Sequence, residues 1–388
     1  MRTLIIVLLV LASLLCMGTM PAMCAEKTIT DMEGRTVTIS EPIERVVTAG
    51  YGMAPCVMAA LGVGDKIVGT GGVLYGQKIT PAAPIGADEN TMTAVIPALK
   101  ALPDLGSAAT LNIEATVALK PDILILEKSC AGQGSASAAY KELIDKLSLF
   151  NKSSPLVVIR NAACYETPSP DTVYEEIRML GDIFDKEERA QKVVNILKDE
   201  ISLITERTED IKPNEMPSVL FMGMIAGTNS GKGGKLALIL PDYDCATLYP
   251  EINKIKNAYS GKKRESMSSE QLLTFNPDII ILACSPGGYE VERFYNSEDY
   301  KALQGMRAIK ERRVFSTGRL EFGHNMAGLE FPIEVLIEAK AVYPDRFKDV
   351  NVGEQLTKHY KAIYGLDDEQ VKELKEAMGL DWMDKEGF

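Results

Sequence analysis

Histidine is nearly absent: His324 and His359 are the only two in 388 residues. A bare-metal site of the zinc or manganese kind usually needs several imidazoles, and a hydrolase needs a base beside its nucleophile, so neither class finds its residues here. Tryptophan occurs once, as Trp382, and only 6% of the chain is aromatic, which argues against a cleft lined with broad flat rings. None of the seven cysteines stands in a C-x-x-C pair. Such a scattered, odd set is a poor disulfide framework and a poor zinc or iron–sulfur site. The five beyond residue 25 (Cys56, Cys130, Cys164, Cys245 and Cys284) therefore read as buried free thiols. Basic residues are in the minority, 42 against 54 acidic, and a formal charge of −12 makes nucleic acid a poor partner. Neither G-x-G-x-x-G nor G-x-x-x-x-G-K-[ST] occurs, so neither a dinucleotide nor a P-loop site is implied.

What is present begins with a targeting signal over 1–25: Arg2, the apolar run 4–15, then small and turn-forming residues through Ala22. That run is short for a membrane span and typical of a secretory signal. Cleavage near Cys24 or Ala25 would leave a start at Glu26 and a charge of −13, since Arg2 is the only charge removed. Export follows, to the periplasm or the extracytoplasmic surface, with a lipid anchor on Cys16 or Cys24 conceivable.

The strongest helical pattern is KEERAQKVVNILKDEISLITE at 186–206, free of Gly and Pro, with one apolar stripe from Ala190 to Leu203. At about 1.5 Å per residue it forms a rod about 30 Å long. On either side stand NIEATVALKPDILILEKSC (112–130) and SSEQLLTFNPDIIILACSP (268–286). Each has a Glu seven residues before the Pro of a Pro-Asp pair, a short helix and an apolar strand. The offset, 270 − 114 = 156 residues, suits one domain each. The expected division is a signal at 1–25, an N-terminal lobe at 26–181, a connecting helix at 182–210 and a C-terminal lobe at 211–388.

The alternation TVTI around a Glu33-Gly34 turn predicts a hairpin. Strand, Gly-containing turn and helix at 45–61 predict a first βα unit, and strands near 66–69, 123–126, 156–159, 218–222, 279–282 and 314–316 continue α/β logic. A helix is expected over 171–180, broken at Gly181, and another over 235–240. In parallel α/β sheets ligands sit beyond the carboxyl ends of the strands. The candidates there are Tyr51, Tyr75, Lys128, Arg160 and Tyr165 in the first lobe, and Met224, Asn229, Tyr289, Arg293, Arg319 and His324 in the second.

TDMEGRTVTISEPIERVV, IEATVALKPDILIL, SEQLLTFNPDIIIL and EFPIEVLIEAKAVYPDRF together resemble class III periplasmic substrate-binding proteins, which serve iron-siderophore, haem and vitamin B12 ABC importers. The resemblance covers about 29–347. It implies two Rossmann-like lobes bridged by one long α-helix, a ligand cleft between them and modest hinge motion. It also implies a monomeric transport protein rather than an enzyme, with no cofactor, that docks on a permease dimer through one acidic residue per lobe. The matching positions are Glu114 and Glu270.

Arg160, Arg293 and Arg319 suit the anionic oxygens of a metal chelate, which favours a ferric siderophore-type complex over a corrinoid or haem. A rival from another class is a redox protein holding a metal cluster, with cysteine ligands, between two such lobes. The chain beyond Tyr343 is longer than the resemblance accounts for.

Overall fold

The computed structural model describes residues 25–50, 52–72, 91–103, 105–106, 111–128, 135–149, 154–160, 164–165, 169–223, 235–239, 252–261, 265–282, 291–296, 298–318 and 328–388. The first strands, β1 (Glu26–Thr30) and β2 (Thr36–Ser40), form the expected antiparallel hairpin. Then come β3 (Val46–Gly50), α1 (Met53–Ala60), β4 (Ile67–Gly72), α2 (Thr91–Val95), α3 (Ile113–Ala118), β5 (Ile123–Lys128), α4 (Ser135–Leu149) and β6 (Leu156–Arg160). The strands make a parallel sheet in the order β4-β3-β5-β6. Both faces are buried, which is why these strands read as unbroken apolar runs. Ile123, Ile125, Val157 and Ile159 enter one core cluster, while Leu124, Leu126, Leu156 and Val158 enter another on the opposite face.

After the sheet, α5 (Pro170–Ile183) opens with Ser169 accepting from the Asp171 amide and Pro170 in the first turn. It runs straight through Gly181 instead of breaking there. A Cβ on Gly181 would collide with Ala190 Cβ at the start of α6 (Glu187–Thr208), so the glycine is a contact point between two packed helices. That contact outweighs glycine's intrinsic cost of about 1 kcal/mol within a helix. The long α6 has 22 residues and buries Ala190, Val193, Val194, Leu197, Ile204 and Thr208.

A second sheet follows, formed by β7 (Ser218–Gly223), β8 (Lys235–Ile239), β9 (Lys256–Asn257), β10 (Glu265–Ser268), β11 (Ile279–Leu282) and β12 (Val314–Ser316). Its order is β10-β8-β7-β11-β12, with β9 also on β7. The pairs β7–β11, β11–β12 and β7–β9 are parallel, whereas β8 runs antiparallel to both β7 and β10. Within the segment 235–240, expected as helix, Lys235–Ile239 is instead a strand: hydrogen bonds to β7 and β10 on its two edges favour extended chain over a lone short helix. Short helices α7 (Ser269–Leu273), α8 (Val291–Asn296) and α9 (Arg307–Lys310) flank this sheet.

The twin Pro-Asp segments perform the same task in both lobes. Asp122 Oδ2 accepts from the amides of Glu44 and Arg45, each at 2.8 Å, at the entrance to β3. Asp278 Oδ2 accepts from the amide of Ser218, also at 2.8 Å, where β7 begins. Each carboxylate thus pins the start of the neighbouring strand. The residues ahead of the prolines, Lys120 and Asn276, both adopt positive φ, 49° and 36°, to turn the chain from helix into strand.

The remaining chain closes the molecule. Helix α10 (Phe331–Val342) is buried on nearly every side, with Ile333, Leu336 and Ile337 in the first lobe's cluster and Ala341 and Val342 in the second's. Then α11 (Val352–Tyr364), α12 (Asp368–Ala377) and α13 (Trp382–Glu386) account for the unassigned tail. An Asn351 cap, an αL Gly365 and a capping box at Asp367 and Gln370 delimit the first two. Helix α11 packs on α6, α10 and α1, while α12 reaches α2. The C-terminal Phe388 carbonyl accepts from the Val352 amide, and its ring lies 5.9 Å from that of Phe315 beside the second sheet. The tail therefore touches both lobes and the helix between them.

Candidate functional site

The site is built where β5 and β6 end. Their last residues, Lys128 and Arg160, are partners in register, so both cations stand on the carboxyl edge of the sheet. The β1–β2 turn docks against β6: the Met32 amide donates to the Val158 carbonyl at 3.1 Å, and the Val158 amide donates to Asp31 Oδ2 at 3.1 Å. Buried Asp31 also accepts from Arg35 and from the amides of Glu33 and Arg35, which fixes the turn.

This delivers Glu33 between the cations, with Lys128 Nζ at 2.8 Å and Arg160 Nε at 3.4 Å. Arg160 Nη2 donates to the Cys164 carbonyl at 2.9 Å, and the guanidinium lies 4.6 Å from the Tyr165 ring centroid. Burial raises the Tyr165 pKa, only partly countered by Arg160, so the phenol stays a neutral donor. Among Lys128, Arg160 and Glu33 the formal charge is +1, and Glu175, whose charge also reaches Tyr165, offsets part of it. Arg160 is 29% exposed and Lys128 17%, enough to meet a solute while remaining ordered.

Beneath this edge a second carboxylate shapes the β3–α1 turn. Buried Glu127 accepts from the amides of Gly52 at 3.1 Å and Met53 at 3.2 Å, satisfying two free donors at the α1 N-terminus. Gly50, with φ 153°, passes so close to Glu127 Cβ that any side chain there would collide. The N-terminus of α1 is thus held by this carboxylate. Glu176 of α5 is also fully buried, and its pKa is pushed well above the usual carboxyl range by burial, then by Glu127 and Glu175.

Of the eleven ligand-site candidates, Lys128, Arg160 and Tyr165 come together as described. Tyr51, Tyr75, Met224, Asn229, Tyr289, Arg319 and His324 lie outside the described residues. Arg293 lies in α8, but its side chain is outside the description. Glu33 escapes the sequence rules, because its role comes from docking of the hairpin turn onto β6 and not from any local pattern. The cysteine expectation holds for Cys56, which is free and buried, but not for Cys164, which is disulfide-bonded. Spacing along the chain says little about which thiols meet in space.

Glu114 and Glu270 are both exposed and occupy the second position of α3 and α7. Asn112 caps the first helix and Ser268 the second. Among the described residues no group of three or more His, Cys, Asp or Glu could hold a metal ion, and no helix is long and apolar enough to cross a membrane.

Residues 54–319 match the periplasmic binding protein family. The chain belongs to that family. Periplasmic binding proteins of this kind are transport components rather than enzymes, and they carry a transported ligand rather than a resident cofactor. The chain is thus a substrate-binding protein of an ABC transporter.

A similar solved structure is a periplasmic solute-binding protein from Veillonella parvula, with TM-score 0.70 and 21% identity, covering 94% of this chain and 100% of that one. The molybdate-bound MolA of Haemophilus influenzae gives a TM-score of 0.66 at 20% identity, with 88% and 98% covered. The ABC transporter substrate-binding lipoprotein YvrC of Bacillus subtilis is 23% identical over 333 residues, 83% of this chain and 87% of YvrC. These likenesses establish two lobes of the periplasmic binding protein type.

Proposed function

We propose that this periplasmic binding protein captures an anionic metal complex, of the ferric siderophore type, and hands it to the permease of its ABC importer. The observation that carries the reading is the charge surplus at the ends of β5 and β6, where Lys128 and Arg160 share Glu33 beside the Tyr165 ring. An oxygen-rich anion gains charge-assisted hydrogen bonds from such a pair, and an aromatic neighbour suits stacking against a catechol ring. Tyr51, Tyr75, Met224, Tyr289, Arg293, Arg319 and His324 are proposed to complete the cleft. A corrinoid or haem is less well supported, because aromatics are sparse.

A second reading is a bare oxyanion. It draws support from MolA, named as a molybdate-binding protein and 24% identical over 354 residues. Native mass spectrometry of the protein purified from its source, followed by calorimetry with a ferric tris-catecholate, molybdate, haemin and cobalamin, tests both. Binding of cobalamin or haemin alone would overturn the anionic-chelate reading.

In this reading the lobes work as units over 26–181 and 211–388, joined by 182–210, after removal of 1–25 on export. Glu114 and Glu270 meet cationic residues of the two permease subunits. Intact-mass measurement of the processed protein tests the export step, since a retained Met1 would contradict it.

A further inference from the structure

Two large apolar side chains stand out as exposed among the described residues: Val117 at 39% and Leu273 at 38%. Scattered exposed apolar residues are ordinary on any surface and need no explanation. These two are not scattered. They occupy equivalent places in the twin segments, since 273 − 117 = 156, the same offset that relates Glu114 to Glu270, the caps Asn112 and Ser268, and the turns at Lys120 and Asn276. Each lies three residues after its glutamate on a short helix, so acid and apolar group share one helix face. Each lobe thus presents the same compact pair, an exposed carboxylate beside an exposed aliphatic group.

We infer that Val117 and Leu273 are the apolar anchors of the permease-docking surface, each seated in an apolar depression next to the cation that meets Glu114 or Glu270. This rests on the docking reading given above and adds to it the source of affinity. A repeated epitope on two lobes fits a partner with two equivalent halves, as a permease dimer has. The carboxylates steer approach and set orientation, but a rim charge in water adds little net affinity. Apolar area taken out of water at an aliphatic side chain in each contact supplies what the charge does not.

The test measures binding of the full-length processed protein to its cognate permease–ATPase complex in lipid nanodiscs, at low and high salt. Val117→Ser and Leu273→Ser should each weaken binding about tenfold. Their melting temperatures and mass in solution should not change, and the loss should be the same at both salt concentrations. Glu114→Gln and Glu270→Gln should also weaken binding, but their loss should shrink at high salt as the charges are screened. Val117→Leu should retain binding.

If the glutamine variants weaken binding and the serine variants do not, the docking reading survives and the apolar anchors are wrong. If all four bind as wild type, both fail. A wild-type dimer that dissociates when Val117→Ser and Leu273→Ser are combined would overturn the inference by assigning this face to a second copy of the chain.

Discussion

Replacing Arg160 by Met removes one of two cations that share a single carboxylate, and the formal charge of the subsite falls from +1 to 0. A ligand oxygen in contact with Arg160 would feel that change across about 5 Å, in surroundings best described by an effective dielectric constant of about 20–40. The loss is then about 2–3 kcal/mol, or roughly 30- to 150-fold in Kd. Arg160 also stacks on Tyr165 and holds the Cys164 carbonyl, so a loosened loop would add its own share to any loss.

A second substitution separates the two causes. Adding Glu33→Gln restores the charge to +1 and frees Lys128 from its 2.8 Å partner without restoring the stack. The double variant should recover at least tenfold in affinity if charge is the cause. Calorimetry with ferric tris-catecholate and with molybdate at two ionic strengths reads this directly, with melting temperatures as the control. Unchanged affinity in Arg160→Met, or a double variant no better than the single one, would refute the electrostatic argument.

Three further outcomes concern stability. Burial pulls the His359 pKa down, but Glu200, 3.0 Å from Nδ1, more than offsets this and the net shift is upward. The pair's contribution is therefore fully present below the unfolded value of about 6.5 and is lost as pH rises through the folded value. Glu200→Gln should flatten that dependence in a melting series, and an unchanged slope would dismiss the pair. For Glu176 the raised pKa means that stability falls as pH climbs above the unfolded carboxyl value of about 4.3, and Glu176→Gln should raise the melting temperature at neutral pH by about 2–4 °C. A lower melting temperature would show that the carboxyl group has a partner that matters. Gly181→Val should cost about 1–3 kcal/mol by forcing α5 and α6 apart, measurable by urea denaturation, and a wild-type midpoint would contradict the close approach to Ala190.

Much of this architecture can be read from the chain because its repeat is chemical as well as numerical. The Pro-Asp pairs recur because each lobe needs a carboxylate to hold the entrance of a neighbouring parallel strand, and the apolar runs recur because those strands are buried on both faces. Helix α6 is legible from its unbroken stripe. Features set by tertiary contact are not. Gly181 reads as a helix break in the absence of Ala190 against it, and 235–240 reads as helical without the strands on either side. In the site, Arg160 and Tyr165 are accessible through the rule for strand ends. Glu33, from a turn 127 residues before Arg160, enters only through the docking of the hairpin.

The lone tryptophan has an optical consequence. Trp382 lies in α13 with its ring 4.9 Å from that of Phe388, in a tail packed against both lobes. Its fluorescence therefore reports how the C-terminal helices are seated, with no competing emitter of its kind elsewhere in the chain. A ligand that absorbs in the near ultraviolet or visible, such as a ferric catecholate, would dim that emission by energy transfer without touching the indole. Molybdate, transparent in that range, would leave the intensity to follow only a shift of the tail. One emission spectrum recorded during titration thus distinguishes a coloured cargo from a colourless one before either is identified chemically.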